Sequence, residues 1–382
     1  MCRVNEILQR SFKMQKIHVS LQSSSYDILL AHNELAEMLK GYRESWRQYD
    51  QIVVIPDEHV WQLHEHYFRE AMTMNGLENY LVKPIPAGES SKSIDVWEEV
   101  QTFLLQQNCN RNTLLVAFGG GACGDVVGFI AATFLRGVDY CQMPTTVLAH
   151  DSSVGGKTAI NHSLGKNLLG AFHQPIAVLY DSSFFDTLSE KEFRSGFAEL
   201  WKHAWLSDAN WLQELEISVL QNSWRSIPWV AELTKGIQVK VSIVERDVFE
   251  RHERKYLNFG HTFSHALEKG IGYSEISHGE AVAIGILFDL LISAEKGFIP
   301  HQLVKEKITF IHSLGYPLNK VSSVPFENYY ELMVRDKKAT KTGIQFVLLH
   351  TIGNPVVETI EKKLLLHAYH LFQQLIEEVA ND

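Results

Sequence analysis

No stretch of about 18 uncharged apolar residues occurs in these 382 residues, so no membrane-spanning helix is expected. The opening residues lack the basic and then apolar regions of a secretion signal, because Glu6, Gln9, Arg10 and Lys13 interrupt them. The residues up to Lys13 read as a short extension. Cysteine is scarce: Cys2, Cys109, Cys123 and Cys141 form no CxxC pair, and four reduced thiols of a cytoplasmic protein are expected. Basic charge is also short. Lys and Arg number 35 against 45 Asp and Glu, for a formal net charge of -10. That balance excludes a general nucleic-acid binder, which needs a basic footprint, and a polybasic contact with a membrane. Internal repeats and low-complexity stretches are missing too.

What is present is a 45% apolar content, enough for a sizeable core, and a length that suits about two or three domains of roughly 150 residues. Apolar runs bounded by turn residues alternate with helical patterns in the first half. Strands are expected at 51–55, 80–85, 113–118 and 177–180, with helices at 58–74, 94–107 and 126–135. Such alternation implies a parallel sheet with helices on its faces. From Ser189 onward the patterns are mostly helical: 190–206, 229–248, 261–269, 280–296, 302–314 and a closing helix over 362–379. The expected fold class is therefore α/β. A Rossmann-like parallel-sheet domain over 1–182 is followed by a mostly α-helical domain over 183–382.

The third expected strand runs into Gly119-Gly120-Gly121-Ala122-Cys123-Gly124-Asp125. Gly119, Gly121 and Gly124 fit GxGxxG between a strand and a helix, where backbone amides and a helix N-terminus attract a pyrophosphate. A purely structural tight turn gives the same pattern, and the dinucleotide fingerprint usually follows the first strand. Gly88-Glu89-Ser90-Ser91-Lys92 is a second glycine element at a strand end, and reads equally as a ligand loop or an ordinary turn. Asp57 is either a ribose acceptor or a helix N-cap. Ser152 to Thr158 is no P-loop, since Asp151 stands where its first glycine belongs.

Metal-ligand types cluster in the second half, at Glu199 and His203, at His261 and His265, and at His278. Three nitrogen and carboxylate ligands with one open position describe a catalytic zinc site. Helical i, i+4 spacing alone favours the His261/His265 pair. Between Thr145 and Pro175, Lys157, Lys166, Asn161 and Asn167 lie among glycines and small residues without regular periodicity. That composition suits a loop around an anionic ligand, with Arg136, Lys202, Lys240, Arg254, Lys337 and Lys338 as further cations.

In order along the chain stand GGGACGD, TTVLAHDSSVGGKTAINHSLGKN, GFAELWKHA, LNFGHTFSHA, HGEAVAIG and RDKK. Over roughly residues 50 to 350 these resemble the 3-dehydroquinate synthases of the sugar phosphate cyclase superfamily, lyases of the shikimate pathway of aromatic amino acid biosynthesis. The resemblance implies a zinc site of Glu199, His261 and His278, with cobalt as a substitute, and gives His265 to substrate or a bound water. It implies an NAD site of Asp57, Gly88, Glu89, Lys92, Gly121, Gly124, Asp125, Thr145, Thr146, Lys157, Lys166 and Thr187. Catalytic and substrate contacts would be Arg136, Asp151, Lys157, Asn167, Lys202, Lys240, Glu250, Arg254, Asn258, His265 and the Lys337-Lys338 pair. Two departures stand out: the run after Thr146 is one residue short, and the glycine common before Arg254 is replaced within Glu250-Arg251-His252-Glu253-Arg254.

The implied reaction converts 3-deoxy-D-arabino-heptulosonate 7-phosphate to 3-dehydroquinate and phosphate, in a cytoplasmic homodimer without nucleic-acid or membrane partners. Aminodehydroquinate, 2-deoxy-scyllo-inosose and valiolone synthases are the near alternatives. Arg254, Asn258 and His265 favour a substrate that carries a carboxylate. A metal-dependent NAD polyol dehydrogenase is a remoter one, and a non-catalytic binding protein remoter still.

Overall fold

The computed structural model describes residues 14–21, 24–272, 275–335 and 343–381. The expected extension and the Lys337-Lys338 pair lie outside the described residues. Among these, the strands are β1 Gln15–Ser20, β2 Ser25–Ala31, β3 Gln51–Pro56, β4 Leu81–Val82, β5 Thr113–Gly119, β6 Asp139–Pro144, β7 Lys157–His162, β8 Gly165–Phe172, β9 Ala177–Asp181, β10 Ile344–Thr351 and β11 Asn354–Ile360.

The main sheet has the order β1-β2-β9-β6-β5-β3-β4. All its pairings are parallel except the β1–β2 edge. β5 shows why the pattern was readable, for every one of its residues is buried. Leu114, Val116 and Phe118 face one core with Val54, Phe68 and Met72, while Leu115 and Ala117 face another with Val53, Ile55 and Val100. A strand covered on both faces needs a continuous apolar run, as parallel sheets do.

The segment expected to be a loop around Lys157 and Lys166 is an antiparallel hairpin instead, with Lys157 opposite Phe172 and Thr158 opposite Ala171. Gly165, Gly170 and exposed leucines mask its alternation, since Leu164, Leu168 and Leu169 all reach solvent. β1, β2, β6 and the β10–β11 hairpin were not anticipated either.

The chain divides into two compact units. One comprises the chain up to Ser189 with Pro228–Glu245, and the other Glu190–Ile227 with the chain from Arg246. The second unit is built round helix His278–Glu295, whose residues from Gly279 to Ala294 are all buried. A helix apolar on all sides belongs inside a bundle. Helices Glu190–Trp205, His261–Ile271, His301–Ser313 and Lys362–Asn381 pack around it. No described helix is long and apolar enough to cross a membrane.

Candidate active site

In the first unit, β5 delivers the glycine turn to the N-terminus of helix Gly121–Thr133. These glycines are closely approached by side chains. A Cβ on Gly121 would lie 2.7 Å from Ser152 Oγ, and one on Gly124 would lie 2.8 Å from Gln142 Oε1. The first-turn amides of a helix have no intrahelical acceptor, so the turn also remains receptive to an anion.

Asp57 caps helix Glu58–Met74 through Oδ1, which accepts the amides of His59 at 2.9 Å and Val60 at 3.2 Å. Its Oδ2 accepts the Gly88 amide at 2.8 Å, so one carboxylate ties two strand-end loops together. Beside them Lys92 is buried, and its Nζ donates to Asp125 Oδ2 at 2.6 Å and to Asn167 Oδ1 at 2.5 Å. Asn161 donates to Glu89 Oε1 at 2.7 Å and accepts the Asn167 amide at 2.9 Å. Glu89, Lys92, Asp125, Asn161 and Asn167 thus form one network.

The other sequence candidates of this unit sit around it. The Thr145 amide donates to Gly119 O at 3.0 Å, and the Thr146 carbonyl accepts the Tyr180 hydroxyl. Thr187 Oγ1 is 2.9 Å from His64 Nε2. Lys240 pairs with Asp151 Oδ2 at 3.0 Å. Lys157 and Lys166 ride on the hairpin strands. Arg136 is exposed on a turn where it and Leu135 both have positive φ.

In the second unit, three helices meet at one point. Glu199 projects from the middle of Glu190–Trp205, whereas His261 and His278 are each the first residue of a helix. Those two starts are fixed from behind. Gly260 takes a φ of 81°, and its amide donates to the buried Asp289 at 2.7 Å. Ser277 and Glu280 form a capping box, and a Cβ on Gly279 would overlap the Ser195 carbonyl.

Glu199 Oε1 lies 3.3 Å from His261 Nε2 and 3.2 Å from His278 Nε2. One donor atom from each of the three falls within 4.8 Å of the others. Behind the rings, His261 Nδ1 donates to the Phe259 carbonyl at 3.1 Å, and His278 Nδ1 donates to Glu268 Oε2 at 3.2 Å. Lys202 Nζ lies 2.5 Å from the other Glu199 oxygen. Burial holds the His261 pKa down at about 4, against the pull of Glu199. Burial also opposes charge on His278, but Glu268 and Glu199 outweigh it and push that ring up to about 10. His265 is exposed, with its ring 5.6 Å from that of His261, and is not one of the clustered three.

The loop before His261 solves the missing-glycine problem differently. Asp247 accepts the backbone amides of Arg251 at 2.9 Å, His252 at 2.6 Å and Arg254 at 3.1 Å. The left-handed residue is Glu250, with φ 59°, while His252 has φ -135°. Glu250 Oε1 accepts from Asn258 at 2.6 Å, and the buried Arg254 guanidinium donates to the Val248 carbonyl. Asp247, Glu268 and Asp289 escaped sequence reasoning. Only Asp289 carried a signal, an acidic residue set between Phe288 and Leu290.

Two imidazole nitrogens and a carboxylate oxygen, convergent and backed by hydrogen bonds, fit a divalent cation such as zinc. Models of the N-terminal and C-terminal parts of 3-dehydroquinate synthase match residues 82–195 and 196–339. A 3-dehydroquinate synthase of Lysinibacillus sphaericus (strain C3-41) is 42% identical over 95% of this chain and 99% of its own length. The chain belongs to the 3-dehydroquinate synthase family.

Members of this family are lyases. Among solved structures, a 2-deoxy-scyllo-inosose synthase complexed with carbaglucose-6-phosphate, NAD+ and Co2+ superposes with a TM-score of 0.81 at 23% identity, covering 94% of this chain and 99% of that one. A 2-epi-5-epi-valiolone synthase from Streptomyces hygroscopicus with NAD+ and Zn2+ bound gives 0.80, also at 23%, over 93% and 98%. At that identity the two share the fold.

Proposed function

We propose that this protein converts 3-deoxy-D-arabino-heptulosonate 7-phosphate to 3-dehydroquinate and phosphate, using zinc held by Glu199, His261 and His278 and NAD held at the glycine turn. The observation that carries the reading is the convergence of that trio, in a chain 42% identical to a synthase of this name. When bound, the dication lowers the pKa of the hydroxyl to be oxidised, and NAD accepts a hydride and returns it.

The chain's own residues bind, orient and neutralise. In the first unit the dinucleotide contacts are Asp57, Gly88, Glu89, Lys92, Gly121, Gly124, Asp125, Thr145, Thr146, Lys157, Lys166 and Thr187. The Asp57 carboxylate and the Lys92–Asp125–Asn167 network keep these loops in place without ligand. Arg136, Asp151, Lys157, Asn167 and Lys240 are its anion and hydroxyl contacts. In the second unit Lys202, Glu250, Arg254, Asn258 and His265 serve the substrate. Arg254 is already oriented by the Val248 carbonyl, so a bound carboxylate meets a guanidinium fixed in advance. So many cations and amides suit a sugar acid phosphate better than a neutral polyol, which carries no anionic group for them to meet.

We further infer a cytoplasmic homodimer. Cys109, Cys123 and Cys141 are buried free thiols, as suits a reducing compartment. The test is product analysis with the heptulosonate phosphate. Equimolar phosphate and dehydroquinate support the proposal, and an unchanged substrate contradicts it.

A further inference from the structure

The two histidines of the trio are backed unequally. His261 leans on a neutral peptide carbonyl of its own loop, at Phe259. His278 leans on a carboxylate, Glu268, which comes from the neighbouring helix and is itself only 3% exposed. Glu268 sits on helix His261–Ile271, seven positions beyond His261, so the helix that begins with one imidazole carries the support of the other. A carboxylate has no packing reason to be buried there, and burying one is costly unless it is hydrogen-bonded and paired.

We propose that Glu268 is a positioning residue for the metal site. Its Oε2 accepts the Nδ1 proton of His278, which fixes the tautomer with the Nε2 lone pair facing Glu199, sets the ring plane and raises the ring's donor strength. Since Glu268 and His261 share a helix, they set the His261–His278 spacing together. Glu199 and Glu268 then both meet His278 beside the point where the three donor atoms converge, which favours a dication there. The inference rests on the metal reading proposed above, and its test separates the two.

The probe is Co2+ added to the chelator-treated full-length protein, followed by its visible absorption and by competition with a chromophoric chelator. Glu268→Gln keeps the size and an acceptor oxygen but removes the charge; Glu268→Ala removes both. Loss of such an outer partner costs 10–100-fold in metal affinity in general, so Glu268→Ala is expected to weaken Co2+ binding by about that factor. Glu268→Gln should fall between it and the parent, with a shifted cobalt spectrum. Melting of the metal-free proteins controls for a merely structural role, and any loss of metal-free stability in Glu268→Gln should be smaller than its loss of Co2+ affinity. Equal Co2+ affinity and spectrum in parent and Glu268→Gln overturns the inference while leaving the trio intact. An affinity loss matched by an equal loss of metal-free stability also overturns it. Failure of the parent itself to bind Co2+ overturns the metal reading.

Discussion

The charged clusters of the two units are finished in opposite ways. In the first, Lys92 donates to Asp125 and Asn167, and Asn161 links Glu89 to the Asn167 amide, so the groups pair off with one another within the chain. In the second, two imidazole nitrogens crowd one Glu199 oxygen, Lys202 meets the other, and Glu268 backs His278. The first cluster shapes loops whether or not a dinucleotide is present. In the proposed reading a cation completes the second, whose carboxylates otherwise hold His278 charged. The lesson is that a site read as ligand-binding can be either preorganised scaffold or incomplete coordination shell. Whether the charged groups pair off or converge on one point tells the two apart.

That contrast breaks first at Glu199. Glu199→Ala and His261→Ala should each lose stoichiometric metal by elemental analysis, with turnover down by about 10³-fold, since a catalytic dication supplies several kcal/mol. His265→Ala should keep its metal and still lose most turnover. Metal retained in His261→Ala and lost in His265→Ala would mean that helical spacing, rather than the trio, picks the ligands.

Lys92→Met tests the other side. It should leave metal content unchanged but cost about 3 kcal/mol of stability by chemical denaturation, because Asp125 then stays largely buried without its partner. Stability equal to the parent would show that the first cluster is not the self-contained scaffold described.

A smaller effect is expected at Asp247, which shapes the loop bearing Glu250 and Arg254. Asp247→Ala should cost about 1–3 kcal/mol, the usual range for hydrogen bonds to a charged group. Burial pushes the Asp247 carboxyl up, but the amides of Arg251, His252 and Arg254 outweigh it and hold the group below its usual range. Its contribution is therefore complete above the unfolded carboxyl pKa of about 3.9, and is lost as pH falls through the lower folded value. The difference between parent and Asp247→Ala should be flat near neutrality and shrink in acid. A difference that grows in acid would contradict the assignment.

Much of this molecule was legible because its signals are local. Helix Glu58–Met74 is bounded by its Asp57 cap, and β3 and β5 are continuous apolar runs. β6 was missed because Asp139, Gln142 and Pro144 dilute its pattern, although Gln142 is buried against Gly124 for a tertiary reason. The β7–β8 hairpin was missed because its apolar residues face solvent rather than alternating inward. At the metal centre, spacing sees only residues on one helix. The observed cluster takes one residue from each of three helices, so packing of the bundle decides it. Residue type made Glu199 and His278 candidates, only the resemblance to a family chose them over His203 and His265, and nothing in the chain order pointed to Glu268.

In the proposed reaction the hydride is borrowed and returned within each cycle at a site built for an anionic substrate. The direct measurement follows phosphate release and reduced-nicotinamide absorbance in one sample, with NAD far below the heptulosonate phosphate. Phosphate in large excess over NAD, with little change in absorbance, is expected. NADH formed in proportion to substrate consumed, with no phosphate released, would contradict it.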